Sequence, residues 1–313
     1  MKRREAFRIK TVDPTFSLIM SIMPRRYDAT NYSMIDIPCE GMDKFIAKKR
    51  EETGEKYSYM HIIIASLVRT LAIRPHFNRF VMNARLYERY GVTVCFTIKQ
   101  VLRDDAEEIT IKHTFCGHET IQEIKNTLDH LIDSNLNQTS VSSTTKTART
   151  VGGLPIWLSK MVVNFLRITD KNNCMPKKFL DISPFHTSFF ITNLKSIKMS
   201  TIFHHCYDFG TTGLFVAMGK EKMEPVVNEL NQVVPKKIIK LGFSCDERIC
   251  DGHYSGGSFQ VLKRNMLFPE NLETEYHDQK VDAEIARQAK QKAIDQAIKL
   301  KQQAKQSKKQ IKK

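Results

Sequence analysis

The sequence predicts an α/β domain, a mixed β-sheet covered by helices, and three patterns predict it. Val92–Lys99 and Glu108–Phe115 alternate in polarity and are rich in β-branched residues, as paired strands are, with the polar link Arg103–Glu107 between them. Tyr59–Ala72 is apolar on nearly every face, which marks a helix buried on all sides. Short apolar runs at Ser188–Thr192, Leu214–Met218 and Lys237–Ser244 have the length of buried strands.

The remaining elements follow in chain order. Residues 1–25 form a basic, partly apolar lead-in. Its apolar run Phe16–Met23 is too short for a signal peptide of the usual design, and no apolar region follows the basic N-terminus. A strand is expected over Tyr27–Ile37, a charged helix over Met42–Thr53 and an amphipathic helix over Thr120–Ile132. Asn135–Thr150 is rich in Ser and Thr and reads as a loop. Leu154–Ile168 is an apolar helix carrying the single tryptophan, Trp157. Two readings stand for it: a helix packed on the domain or at a subunit interface, which we favour, and a helix lying on a membrane surface beside Lys160, Arg167 and Lys171. A helix from Ser255 to Met266 stops before Pro269. From Val281 the tail lacks Gly and Pro and reads as a solvated, fraying helix or a disordered segment. The chain thus divides into a lead-in (1–25), a domain (26–272) containing a loop-and-helix insertion (135–183), and a basic tail (273–313).

Composition narrows the partners. The 313 residues carry a formal charge of +15, and from His277 onward eleven Lys and Arg stand against four Asp and Glu. A basic body suits an anionic small molecule, nucleic acid or a membrane surface. The tail has Lys without aromatic residues after His277, so base stacking has no support and nucleic acid is not an expected partner. Seven scattered cysteines without a C-x-x-C pair argue against a disulfide framework and a structural zinc site, and they fit a cytoplasmic protein. With no H-E-x-x-H, no metal is expected, and no run is long enough to span a membrane.

The segment Asp246-Glu247-Arg248-Ile249-Cys250-Asp251-Gly252 is the most informative. It resembles the D-H-R-x-x-D-G signature of the acyltransferase component of 2-oxo acid dehydrogenase complexes, and the related H-x-x-x-D-G of chloramphenicol acetyltransferase. The surrounding segments are similar in order and spacing: Tyr27–Pro38, Tyr57–Val81, Thr187–Leu194 and Leu214–Gly219. The resemblance implies a chloramphenicol acetyltransferase-like fold and a homotrimer. It also implies coenzyme A or acyl-CoA as substrate, and an active site between subunits. With no lipoyl attachment site ahead of the domain, it is to the short stand-alone members, which would need a separate lipoyl or other acceptor protein. By position, Thr192 falls on the oxyanion hydroxyl, Asp251 and Gly252 on the motif's aspartate and glycine, and Glu247 on the catalytic histidine. Lys195 is a further departure, standing where the family has glycine.

Glu247 changes the chemistry. Glutamate starts near 4.3 and a thiol near 8.5, so an ordinary glutamate is about four units too weak a base for a thiol. Burial and a compensating cation would be needed to retune it. The alternatives are a Glu247 paired to an arginine, doing no chemistry, and a base relocated to His204 or His205. Arg25 and Arg26 are the candidates by position to brace Asp251. Two functions compete: a coenzyme A-dependent acyltransferase, and an inactive acyl-CoA-binding or scaffold protein.

Overall fold

The computed structural model describes residues 3–99, 103, 108–136, 150 and 152–311. The predicted link 103–107 and loop 135–150 therefore lie largely outside the described residues. In chain order the strands are β1 (Ala6–Arg8), β2 (Thr30–Pro38), β3 (Arg79–Met82), β4 (Arg85–Arg89), β5 (Val92–Lys99), β6 (Glu108–Phe115), β7 (Phe189–Asn193), β8 (Leu214–Met218), β9 (Lys222–Val227) and β10 (Val233–Asp246). The helices are α1 (Pro14–Ile22), α2 (Glu40–Thr53), α3 (Tyr59–Ile73), α4 (Ile121–Leu136), α5 (Ile156–Lys171), α6 (Lys177–Ile182), α7 (Gly252–Leu267) and α8 (Gln279–Ile311).

The main sheet runs β2-β10-β8-β7-β5-β6, with β9 added to the first half of β10. Only β5–β7 and β7–β8 are parallel, so the sheet is mixed. Alternate residues of its central strands point to one face: Val92, Val94 and Phe96, then Leu214, Val216 and Met218, then Ile239, Leu241 and Phe243. Against them pack α2, α3, α4 and α7. The predicted all-apolar helix α3 sits at the centre of this core, with Ile62, Ile63, Ile64 and Val68 fully buried. It starts on a reciprocal cap, in which Ser58 Oγ accepts the His61 N–H and His61 Nδ1 accepts the Ser58 N–H.

The other sheet face is crossed by the segment 201–206. This explains two glycines, Gly242 within β10 and Gly219 just after β8. A Cβ at Gly242 would lie 2.4 Å from the Ile202 carbonyl oxygen, and one at Gly219 would lie 2.5 Å from the Thr201 nitrogen.

The lead-in is part of the folded body. β1 pairs with β4 in a second sheet, β1-β4-β3, and Arg3, Ala6 and Met20 are buried. The apolar run at 16–23 is most of α1. The tail helix α8 is anchored through Val281 and Glu284 and exposed from Ala289 to Leu300. None of the helices is long and apolar enough to cross a membrane among the described residues.

Candidate active site

The motif forms a sharp exit from the sheet. β10 ends at Asp246, a 3-10 turn covers Glu247–Ile249, and Asp251 caps α7 by accepting the Tyr254 N–H at 2.7 Å. That hydrogen bond holds the Asp251 carboxyl below its ordinary range. Gly252 has nothing within 4 Å of a notional Cβ, so the space in front of it is open in one chain.

A buried ionic knot fixes this turn. Asp246 is fully buried and accepts a two-pronged contact from Arg248, Nε at 2.8 Å and Nη2 at 2.7 Å. Arg26 reaches the same carboxylate at 3.3 Å and also donates to the carbonyls of Val81, Tyr207 and Gly210. Arg248 Nη1 donates to the Met23 carbonyl after α1. Thus β10, β3, α1 and the loop at 207–210 meet on one carboxylate. The arginine expected to brace Asp251 instead braces Asp246. Asp251 lies on the exposed side of the turn, whereas Asp246 ends the central strand and points inward. Arg25 is exposed and bonds Tyr27.

Beside the turn lies a cavity of about 400 Å³. One wall is apolar, with Phe16 and Ile19 of α1, Phe77, and Phe259 of α7. The other is polar, with Asn31 and Ser33 from one side of β2, and with Glu247, Asp251, Gly252 and Ser255. Cys245 and Cys250 also reach it, but burial pushes both thiols up, Cys250 to about 12. At neutral pH they are protonated and poor nucleophiles.

Glu247 itself is exposed. Its backbone N–H donates to the Ala29 carbonyl at 2.9 Å. Among the described residues no cation pairs with its carboxylate. Arg248, the neighbour in sequence, is committed to Asp246. A single chain therefore supplies neither burial nor a compensating cation for Glu247, and does not form the expected arginine pair either.

Thr192 is half-buried on β7, opposite Ala217 of β8, which in turn lies opposite Gly242 of β10. Glu247 is five residues beyond Gly242, just past the end of β10 and two strands away. Strand spacing puts the two roughly 15–20 Å apart within one chain. The structure brings Glu247, Asp251 and Gly252 to one cavity and leaves Thr192 out of it. Beyond Thr192, Asn193 and Lys195 line a separate cavity of about 310 Å³ with Tyr59 and His61. Lys195 pairs with Glu221 at 2.9 Å, and its ammonium sits 4.4 Å over the Tyr59 ring.

His204 and His205 do not line the Glu247 cavity. His204 stacks on Phe215 with ring centroids 4.3 Å apart, and burial holds its imidazole below the usual range. Asp208, three residues past His205, accepts the Arg26 N–H instead of facing His204.

Two other clusters look chemical. Ser183, His186 and Asp170 form a chain, Ser183 Oγ to His186 Nδ1 at 2.7 Å and His186 Nε2 to Asp170 at 3.0 Å. All three are buried, and Asp170 is also held by Arg3 at 2.6 Å, so the chain is an internal clamp with no open nucleophile. Cys116, His118 and Glu119 place ligand atoms within 4.8 Å of one another. Both Glu119 oxygens, however, accept backbone N–H groups, of Cys116 and Gly117, at 2.7 Å each. That carboxylate closes the turn before α4.

Sequence reasoning missed the Arg26–Asp246 contact and the cavity's α1 wall. Both join residues far apart in the chain, and neither leaves a local pattern.

Residues 189–273 match the family model of the 2-oxoacid dehydrogenases acyltransferase (catalytic domain). No curated protein matches the chain in sequence. Among solved structures the chain is similar to a probable dihydrolipoamide acetyltransferase from Listeria monocytogenes 4b F2365. The identity is 13%, the match covers 86% of this chain and 97% of that one, and the TM-score is 0.52. It is also similar to a chloramphenicol acetyltransferase at 8% identity, covering 83% of this chain and 99% of that one, with a TM-score of 0.51. At such identities these likenesses speak for the fold, and the matched segment holds both β7 with Thr192 and the motif turn with Glu247. Over residues 189–273 the chain thus resembles the 2-oxo acid dehydrogenase acyltransferase catalytic domain, and its architecture is the chloramphenicol acetyltransferase-like fold.

Proposed function

We propose that this protein is an acyltransferase moving an acyl group between coenzyme A and an acceptor thiol, in a site completed by a second copy of the chain. The observation that carries the reading is the convergence of Glu247, Asp251 and Gly252 on one open cavity, inside the matched segment, while Thr192 stays out of reach. A trimer would supply Thr192 from the neighbouring copy. The basic body suits the phosphates of coenzyme A.

In this scheme Glu247 of one copy takes the proton of the acceptor thiol. The thiolate attacks the thioester carbonyl carbon, and the Thr192 hydroxyl of the second copy donates to the developing oxyanion. Collapse breaks the old carbon–sulfur bond, and the departing thiolate recovers the proton from Glu247. Neither Cys245 nor Cys250 relays the acyl group, because burial keeps both protonated. Asp251 caps α7 and so fixes the N-terminal turn beside the cavity. Assembly must bury Glu247 for the base to work, since a solvated glutamate is about four units too acidic for a thiol. The acceptor is a lipoyl group or another thiol on a separate protein. The scattered cysteines, with no C-x-x-C pair in the sequence, suit a reducing, cytoplasmic setting.

A second reading is an acyl-CoA-binding or scaffold protein without transfer. The exposure of Glu247 and its lack of a cation partner among the described residues favour it. Transfer from acyl-CoA to a small dithiol separates the two. The acyltransferase reading expects turnover by the wild type and a loss of at least about a hundredfold in Glu247→Ala. Binding of acyl-CoA without turnover across short and branched acyl groups would support the scaffold reading instead.

A further inference from the structure

Helix α5 is anchored to the domain in its last turn and presents a largely uncovered side. Leu158, Val162 and Leu166 are half-buried, and Asp170 is clamped in the last turn by Arg3 and His186. Facing outward, Trp157 is 66% exposed, Met161 57%, Phe165 64% and Ile168 59%. Steps of four, four and three residues put these four side chains in one stripe along the helix. Lys160, Arg167 and Lys171, all exposed, form a neighbouring row along the same outward side.

We propose that α5 docks this protein on an anionic lipid surface. A solvent-facing stripe of Trp, Met, Phe and Ile is costly in water and marks a contact surface. Three cations beside it fit an anionic plane into which the apolar row sinks, the aromatic ring at the boundary and the basic stems reaching up to the headgroups. The helix is about 24 Å long, enough for both rows to meet one plane along their length. A second copy is the poorer occupant on charge: the chain carries +15, and pairing two α5 faces would bring two such cation rows together. This inference is independent of the acyltransferase reading, because none of these residues lines the Glu247 cavity.

The chain tests it through its own single tryptophan, which lies in this stripe. The full chain is titrated with phosphatidylcholine vesicles containing or lacking phosphatidylserine, reading Trp157 emission and co-sedimentation. The expected result is a blue shift and pelleting with the anionic vesicles alone. Pelleting should weaken about a hundredfold when Lys160, Arg167 and Lys171 are changed together to Gln, from roughly 1 kcal/mol per basic residue near the surface. Phe165→Ser with Ile168→Ser should abolish the shift while leaving the melting temperature unchanged, since both side chains are exposed. Emission that shifts with protein concentration in the absence of lipid would assign the stripe to a second copy and overturn the proposal. No shift and no pelleting would overturn it as well.

Discussion

The motif turn and helix α5 are held by the same kind of contact and present opposite surfaces. Each is fastened by a buried aspartate between basic partners, Asp246 between Arg26 and Arg248, and Asp170 between Arg3 and His186. The first knot lies at the end of the central strand, so what it orients is a polar turn beside a cavity. The second lies in the last turn of α5, so what it orients is a helix with an apolar outer face. Buried charge fixes where the backbone goes. The residues on the free side decide what the region is for.

The difference makes the two knots separable by mutation. Asp246→Ala leaves two buried guanidinium groups without their carboxylate and is expected to cost about 3–5 kcal/mol, read as a lowered urea midpoint. Asp251→Ala, at the exposed helix cap, should cost a small fraction of that. The reverse order would mean that Asp251, as the motif resemblance implied, is the braced residue.

Arg3→Ala should cost less, about 1.5–3 kcal/mol, by removing charged hydrogen bonds to Asp170. Its signature is local. Trypsin should cut within α5 sooner, while the intrinsic reactivity of Cys245 and Cys250 at the motif cavity stays unchanged. Faster modification of both thiols in this variant would show that the two regions share one anchor.

Acid should loosen α5 with a predictable sign. Burial holds the His186 imidazole below its ordinary value, against the opposing pull of Asp170. Burial alone would raise the Asp170 carboxyl, but the hydrogen bond from His186 and the charge of Arg3 outweigh it and hold it down. Both groups therefore bind protons more readily unfolded than folded, so stability rises with pH across their titrations. It should begin to fall as pH drops through about 6.5, where an unfolded histidine protonates, and fall further toward the range of carboxylates. His186→Gln should flatten the upper part of that slope. A slope unchanged in this variant would remove His186 from the clamp.

Much of this architecture was legible in the sequence, and what was missed has a physical pattern. β5, β6 and β8 match their expected bounds because alternation and β-branching report the environment of each residue directly. α3 was legible because it is buried on all sides. β1, β3 and β4 are three to five residues long and rich in arginine, so no periodicity could announce them. Their pairing is decided by partners remote in sequence. The candidate site divides in the same way. The motif residues Glu247, Asp251 and Gly252 are contiguous and were read together. The sequence offered Arg25 and Arg26 by position alone and could not show that Arg26 holds Asp246, because spacing along a chain does not say which side of a turn faces inward. That Thr192 and Glu247 stand far apart within one chain follows from the sheet order, which only the folded structure displays.

That separation makes complementation between copies the most direct test of the central claim. Glu247→Ala and Thr192→Val are each expected to be inactive in acyl-CoA to dithiol transfer. Co-expressed in equal amounts as mixed oligomers, they should recover about a quarter of wild-type activity, since one interface in four joins an intact Glu247 to an intact Thr192. An active wild type whose mixed variants remain as inactive as either alone would contradict a site shared between two copies.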